Sequence, residues 1–189
     1  MFSLVIDFES TGVDTKTARI TEIGAAIVHT ETLEVQDRFN CLVYEKDYVI
    51  TPEVTKVTGI TEELLKEKGV PFAEALELLS QRVNGTIKHV VAYNSKYDEN
   101  LFAAEIRRHN LELHPTANWL LSAPWLCAMD DIETNYGYKC WKLSHLSLDY
   151  GVAVDPSKLH RAINDVELTV ELMKAAKATI TDMHKLCLS

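Results

Sequence analysis

The 189-residue sequence lacks several features that would assign it to a specialised class of protein. It has no apolar run near the ~18 residues of a membrane span, and its N-terminus has no signal-peptide pattern. Its four cysteines, Cys41, Cys127, Cys140 and Cys187, form no close pair, so neither a zinc site nor a disulfide framework is favoured. We therefore expect no membrane association and a cytoplasmic location.

Basic residues are scarce relative to acidic ones: 19 Lys and Arg against 28 Asp and Glu give a formal net charge of -9. This balance argues against non-specific binding of duplex nucleic acid by a broadly basic surface. It leaves nucleic acid open as a partner, because divalent metal ions can bridge acidic side chains to phosphate. Internal repeats, low-complexity tracts and long linkers are also absent, which predicts a single domain over residues 1–189.

The pattern of apolar residues predicts three strands first and alternating helices and strands later. The predicted strands cover residues 4–6, 20–28, 33–44, 89–93 and 125–129. The predicted helices cover residues 61–69, 72–83 (ending at Asn84 and Gly85), 95–109, 143–149 and 162–180. This order predicts an α/β fold with a mixed central sheet and helices on both faces.

Asp7 and Glu9 lie at the end of the first predicted strand. Because they are two residues apart they share one face of the strand, while Leu4, Ile6 and Phe8 share the other. An ordinary polar strand end before Ser-Thr-Gly would look the same. The pair alone is therefore weak evidence for a functional site.

Asp98 and Asp165 each lie on the apolar face of a predicted helix. Asp98 is in register with Leu101, Phe102 and Ile106, and Asp165 with Ala162, Leu168, Leu172 and Ala176. The helix dipole alone could also explain Asp98, and an inward Asp165 is not forced by composition. Together, however, these inward acids indicate metal ions, because a buried carboxylate is costly unless it is neutralised.

His160 precedes Asp165 by five residues, about 140° around an ideal helix. A shared site therefore requires the histidine to come from the loop before the helix, and Asp155-Pro156-Ser157 supports such a loop. A lone loop histidine is otherwise an ordinary surface residue.

Three segments resemble the motifs of the DEDDh branch of the DnaQ-like 3′–5′ exonucleases, in the ribonuclease H-like superfamily. Residues 7–12 resemble the family's Asp-x-Glu-Thr-Thr-Gly, residues 94–98 its Asn-x-x-Phe-Asp, and residues 160–165 its His-x4-Asp motif. Residues 58–61 and 126–129 resemble its His-Gly-Ile-Thr and Cys-Thr-Met segments. The resemblance extends from about residue 4 to residue 175.

Two departures from the family pattern lie outside the acids. Thr58 replaces the usual histidine before Gly-Ile, and Tyr93 replaces the histidine often found before Asn94. Either change could alter how the terminal nucleotide is held.

The resemblance implies a ribonuclease H-like fold: a five-stranded mixed sheet with one antiparallel strand, flanked by helices. It also implies a metal-dependent 3′–5′ exonuclease that releases nucleoside 5′-monophosphates. Two Mg²⁺ ions, with Mn²⁺ as a substitute, would be held by Asp7, Glu9, Asp98 and Asp165. Glu9 would also be catalytic, and His160 would be the general base.

The substrate contacts implied by the resemblance are backbone-directed and apolar: Phe8, Thr11, Gly12, Val13, Ile60 and Asn94. For Val13 and Ile60 a role in the core is an equal alternative. Trp119, Trp125, Tyr136 and Trp141 could stack on bases, although ordinary packing also explains them. Such contacts predict weak sequence preference and favour single-stranded or frayed 3′ ends. We expect DNA rather than RNA, with RNA as the alternative.

Two other functions remain as alternatives. One is a ribonuclease H-like endonuclease, and the other is a non-catalytic, polymerase-associated domain that binds nucleic acid. A polymerase or another protein partner is compatible with the sequence, but no motif indicates one. A metal-buffering role is disfavoured, because the sequence has no Asp/Asn-rich calcium loop.

Overall fold

The computed structural model describes residues 1–83, 85–132, 140 and 142–187, with side chains as far as residue 183. Its strands are β1 (Phe2–Ser10), β2 (Ile20–His29), β3 (Val35–Leu42), β4 (Ile87–Ala92) and β5 (Trp125–Cys127). Its helices are α1 (Pro52–Thr58), α2 (Glu62–Lys68), α3 (Phe72–Ser80), α4 (Ser95–Arg108), α5 (Pro115–Ser122), α6 (Ala128–Asp131), α7 (Leu143–Asp149), α8 (Ala162–Ala176) and α9 (Ile180–Cys187). The predicted helix stop at Asn84 and the stacking candidates Tyr136 and Trp141 lie outside the described residues.

The five strands form one sheet in the order β3-β2-β1-β4-β5. β2 is antiparallel to both β1 and β3, whereas β4 is parallel to β1 and β5. β2 therefore runs opposite to the other four strands, which confirms the predicted mixed sheet with one antiparallel strand. None of the described helices is long and apolar enough to cross a membrane.

Side chains of β1 alternate between two hydrophobic cores, one on each face of the sheet. Leu4, Ile6 and Phe8 pack into the core covered by α3, α4 and α5. Val5 packs into the core covered by α7, α8 and α9. Because strand side chains alternate, Asp7 and Glu9 project toward the same side as Val5, where α8 lies.

The N-terminus of α8 packs directly on β2. A Cβ atom at Gly24 would lie only 2.3 Å from the backbone carbon of Ala162, so glycine is required for this approach. The helix ends earlier than predicted, because Lys177 adopts a left-handed conformation with φ of 54°. A separate helix, α9, then begins at Ile180, whose N–H donates to the carbonyl of Thr30.

Three further elements, α1, α5 and α6, were not predicted as helices of their own, and α6 begins at Ala128, within the predicted strand 125–129. α1 begins with the Thr51 hydroxyl accepting from the N–H of Val54 and ends at Gly59, whose φ is 70°. α5 begins with Pro115 at its first turn. Proline at this position is a helix-start signal, because the N–H that proline lacks would have no intrahelical partner there.

Candidate active site

Four carboxylates and one histidine line a single cleft of about 400 Å³ at the end of β1. Asp7 and Glu9 come from β1, Asp98 from the first turn of α4, and Asp165 from the first turn of α8. His160 comes from the loop before α8. The structure therefore brings together all five residues that the sequence assigned to metal binding and proton transfer.

Asp98 is positioned by the apolar face of α4. Its side chain is buried, as are Leu101, Phe102 and Ile106 on the same helix face. The predicted inward orientation is therefore confirmed. Burial raises the pKa of Asp98 to about 8, although hydrogen bonds from the backbone of Phe8 and from its own backbone oppose the shift.

The face predicted for α8 is wrong in part. Ala162 and Leu172 are buried as predicted, whereas Leu168 and Ala176 are only half-buried. Val166, Val170 and Met173 supply further buried residues of this helix. Asp165 is half-buried and lies at the margin of the buried face. This margin of α8 lies beside β1 rather than over the centre of the core. The carboxylate of Asp165 is therefore close to that of Glu9.

The carboxylates perturb one another strongly. Burial, followed by the charges of Asp98, Glu9 and Asp165, holds the pKa of Asp7 well above its usual range. Burial and the neighbouring acids raise the pKa of Glu9 to about 8, against the lowering effect of Arg161. Burial raises the pKa of Asp165 to about 6, with His160 opposing. Such a cluster needs cations if it is to be ionised at neutral pH.

The donor set fits hard divalent cations. Glu9, His160 and Asp165 each offer one ligand atom, and these atoms lie within 4.8 Å of one another. The Oδ2 atom of Asp165 accepts from the backbone N–H of His160 at 3.2 Å. Its Oδ1 atom is buried and has no hydrogen-bond partner among the described residues. An unpartnered carboxylate oxygen beside other acids is what a Mg²⁺ or Mn²⁺ site requires.

His160 lies on the loop that precedes α8, as the sequence predicted. Its side chain is exposed, and its φ of 60° places it in the left-handed region, which is uncommon for a residue other than glycine. The backbone hydrogen bond to Asp165 ties this conformation to the first turn of α8. The imidazole is therefore accessible from the cleft without being buried in it.

An ion pair that the sequence analysis did not identify joins this loop to the sheet. The carboxylate of Glu22 on β2 is fully buried and accepts from Arg161 at Nε, 2.9 Å, and at Nη2, 2.6 Å. It also accepts from the N–H of Ala162 at 3.1 Å and from Nδ2 of Asn40 at 3.0 Å. A lone charge within the apolar run 20–28 was the available sequence signal, but its partner lies 139 positions away.

The loop after β1 is fixed by side-chain hydrogen bonds. The hydroxyl of Tyr97 donates to the carbonyl of Gly12 at 2.8 Å and is 2.8 Å from the hydroxyl of Ser10. The Thr11 hydroxyl accepts from the N–H of Arg19 at 2.9 Å. Val13, at the end of this segment, is 91% exposed.

The predicted substrate contacts divide into two groups. Phe8 and Asn94 line the acidic cleft, although the ring of Phe8 is buried and stacks on Phe102. Thr11, Gly12, Val13 and Ile60 are not among its lining residues. Ile60 is fully buried, so the alternative reading as a core residue is correct for that position. Exposed Val13 remains a predicted contact.

The two departures from the motif pattern have local structural roles. The hydroxyl of Thr58 donates to the carbonyl of Val54 and accepts from the N–H of Ile60, closing the end of α1. The hydroxyl of Tyr93, which lines the cleft, donates to the carbonyl of Cys140 at 2.5 Å.

The predicted stacking role of Trp119 and Trp125 is not supported by their position. Both are partly buried against the hydrophobic core. The indole N–H of Trp125 donates to the carbonyl of Leu120 at 2.9 Å, and neither side chain lines the acidic cleft.

Comparison with known proteins identifies relatives across most of the chain. The family model RNase_T, described as exonuclease, matches residues 4–173. The subunit called DNA polymerase III epsilon of Treponema pallidum is 28% identical over 166 residues, covering 88% of this chain and 72% of the relative. DNA polymerase III PolC-type of Thermotoga maritima is 26% identical, covering 97% of this chain but only 13% of the relative.

Solved structures share the fold at lower sequence identity. Exonuclease I of E. coli in complex with a dA16 oligonucleotide superposes with a TM-score of 0.75 and 19% identity, over 99% of this chain and 43% of that one. The nuclease domain of 3′hExo, a DEDDh family member bound to rAMP, gives 0.73 and 17%, over 95% and 94%. These neighbours agree with the predicted ribonuclease H-like architecture.

Proposed function

Because the chain belongs to the DnaQ-like 3′–5′ exonuclease family, we propose that it removes nucleoside 5′-monophosphates one at a time from single-stranded or frayed 3′ ends. The observation that supports this most directly is the convergence of Asp7, Glu9, Asp98, Asp165 and His160 on one cleft. In this proposal residues 1–189 act as a single exonuclease domain.

The carboxylates would hold two Mg²⁺ ions, or Mn²⁺ as a substitute. Asp7 would contribute to both ions, Glu9 and Asp165 to one, and Asp98 to the other. When bound, such ions stabilise the charge that develops on the scissile phosphate and activate water. The unpartnered Oδ1 of Asp165 and the raised pKa values of Glu9 and Asp98 support this assignment.

His160 would accept the proton of the attacking water. Its exposed position at the margin of the cleft would let Nδ1 or Nε2 reach a water beside the scissile phosphate. Neutral imidazole is the common base near neutral pH. Asp165 would orient the histidine through the backbone hydrogen bond as well as contribute to metal binding.

DNA is the favoured substrate, with RNA as the alternative. The polymerase III relatives and the exonuclease I complex with dA16 are DNA proteins by name, whereas 3′hExo is seen with rAMP. The names of the relatives also raise the question of a polymerase partner, which no described surface identifies. Backbone-directed contacts would give either substrate little sequence preference.

The experiment is a cleavage assay with 3′- and 5′-labelled single-stranded DNA and RNA, in Mg²⁺ and in chelator. We expect stepwise loss of mononucleotides from the 3′ end, abolished by chelator, by Asp7→Ala and by His160→Ala. Asp37→Ala and His114→Ala are matched controls, because both residues form ion pairs outside the cleft. Absence of mononucleotide release from every substrate would sink the proposal.

The same assay separates the alternatives. Internal cuts from both labels would indicate an endonuclease. Metal-independent binding without any cleavage would indicate a non-catalytic domain.

A further inference from the structure

A second groove, of about 560 Å³, lies outside the acidic cleft, between α4 and the loop that joins β1 to β2. Asn100, Ala104, Arg107 and Arg108 line it from α4, and Thr15 and Lys16 from the loop. These positions avoid the face of α4 that packs on the core, whose buried residues include Leu101 and Ile106. The groove has no role in the proposed chemistry.

The groove is basic in a chain whose net charge is -9. Its lining includes Lys16, Arg107 and Arg108 and no acidic residue. Lys16 and Arg107 are exposed, and neither forms an ion pair with any residue that the structure describes. The nearby carboxylate of Asp14 accepts from the backbone N–H of Lys16 at 3.0 Å.

Arg108 gives the groove a fixed wall. Its Nη1 atom pairs with fully buried Glu105, and its Nη2 atom donates to the carbonyl of Lys16 at 3.1 Å. Glu105 also pairs with Arg19 at 3.0 Å, so its single negative charge is shared between two guanidinium groups. The loop is thereby held against α4 with Lys16 and Arg107 facing solvent on the same groove.

The groove and the acidic cleft lie along the same two stretches of chain. β1 carries Asp7 and Glu9 into the cleft and leads into the loop that carries Lys16 at the groove, while α4 carries Asp98 at its start and Arg107 near its end. Nine residues of helix span about 13 Å at a rise of 1.5 Å per residue. That distance corresponds to about four stacked nucleotides, which advance about 3.4 Å each along one strand.

We infer that this basic groove binds the backbone phosphates of the substrate strand a few nucleotides before the 3′ end. The inference rests on the proposed function, because it takes the scissile phosphate to lie in the acidic cleft. Contacts with phosphates add affinity without reading sequence. They also place positive charge beside the cleft on a protein whose net charge is -9, which would favour a strand directed into the cleft.

The test uses Lys16→Ala, Arg107→Ala and the double variant of the full chain, with Lys88→Ala as the control. Lys88 is also exposed, but it lies on β4 beside Ile87, which pairs with Phe2 at the opposite end of β1 from the acids. Two readouts are needed. One is equilibrium binding of a fluorescent oligothymidylate of about ten nucleotides across a salt titration, and the other is steady-state cleavage of that oligonucleotide and of a dinucleotide.

We expect each variant to weaken binding and raise KM for the longer strand by up to about fivefold, with kcat unchanged. The slope of log Kd against log salt should fall by about 0.7 for each lost phosphate contact. Cleavage of the dinucleotide, which is too short to reach the groove, and all properties of Lys88→Ala should be unchanged.

Unchanged binding and an unchanged salt slope in the double variant would overturn the inference. A loss of dinucleotide cleavage would also overturn it, because it would show an effect on the catalytic cleft. If the unmodified protein cleaves no substrate, the proposed function fails. The salt dependence of binding still decides whether the groove holds phosphates.

Discussion

Removing the buried carboxylate of Glu22 should loosen the loop that carries His160. In Glu22→Ala, Arg161 loses both of its hydrogen bonds to the carboxylate, and the N–H of Ala162 loses its acceptor at the start of α8. Among the described residues, neither the Arg161 guanidinium nor the N–H of Ala162 makes another hydrogen bond. Glu22→Gln preserves the shape of the side chain but turns an N–H₂ group toward one or more of these donors.

The magnitude follows from the burial of the pair. Glu22 has 0% side-chain exposure and Arg161 has 35%. Breaking a buried ion pair by removing one partner costs about 3–5 kcal/mol, and the partial exposure of Arg161 places the expected loss near the lower value, about 3 kcal/mol. For a domain of this size that corresponds to a fall in Tm of about 6–12 °C.

Thermal and urea unfolding of Glu22→Ala would measure this loss against Glu167→Ala. The control removes the ion pair between Glu167 on α8 and Arg38 on β3, which also joins this helix to the sheet but is about half exposed on both sides. It should cost no more than about 1 kcal/mol. Equal losses in the two variants would refute the argument that the buried pair anchors α8.

Activity gives an independent reading of the same change. General-base catalysis contributes about 10²- to 10⁴-fold, so His160→Ala should lower kcat by that order. In the Glu22→Gln background, His160→Ala should lower kcat by a clearly smaller factor, because a histidine that is already displaced contributes less to catalysis. Fully additive effects would show that Glu22 serves stability alone.

Three further predictions concern the buried acids, the contact between α8 and β2, and the loop after β1. Burial raises the pKa values of Glu9 and Asp98 from 4.5 and 3.8 to about 8, so the folded state binds protons more tightly than the unfolded state. In chelator, the stability that this proton binding contributes is present at acid pH and is lost as pH rises toward 8. The gain in Tm on adding Mg²⁺ should therefore grow over this range, and a gain independent of pH would contradict it. Gly24→Ala should cost at least about 1–3 kcal/mol in urea unfolding, since its Cβ would overlap the backbone of Ala162, whereas Gly85→Ala, with open space around it, should cost much less. Tyr97→Phe should raise KM up to about fivefold with a smaller change in kcat, because it removes one of the two hydroxyls that donate to the Gly12 carbonyl, the other being that of Ser10. Tyr44→Phe, which loses no described hydrogen bond, should match the unmodified protein.

The fold and the acids of the site were predictable because each depends on a local pattern. Asp98 stands at helical spacing from Leu101, Phe102 and Ile106, and this spacing favours an orientation toward the sheet. The end of α8 was not predictable in the same way. Lys177 is not a residue type that favours the left-handed conformation, and the contact that starts α9 is made with Thr30, far away in sequence.

Residues that act through distant partners were also missed. Glu22 lies in a strand whose neighbours are buried on both faces, so alternation does not say which side a charge would face. Its significance depends on Arg161, and the pair forms only because Gly24 lets α8 approach β2. Asp165 lies in the predicted cleft although its helix face was predicted partly wrongly, since its close neighbours there are Glu9 and His160.

The distribution of charge around the cleft predicts that metal binding and stability are coupled in this protein. Arg161 is the permanent cation closest in sequence to His160, but its guanidinium is already paired with Glu22. It lowers the pKa of Glu9 without preventing a net rise to about 8. Lys142 lines the cleft, yet it is exposed and its charge is screened by solvent. The buried acids are therefore stable either with protons bound or with divalent cations bound. Loss of metal at neutral pH should abolish activity and also destabilise the region around the cleft.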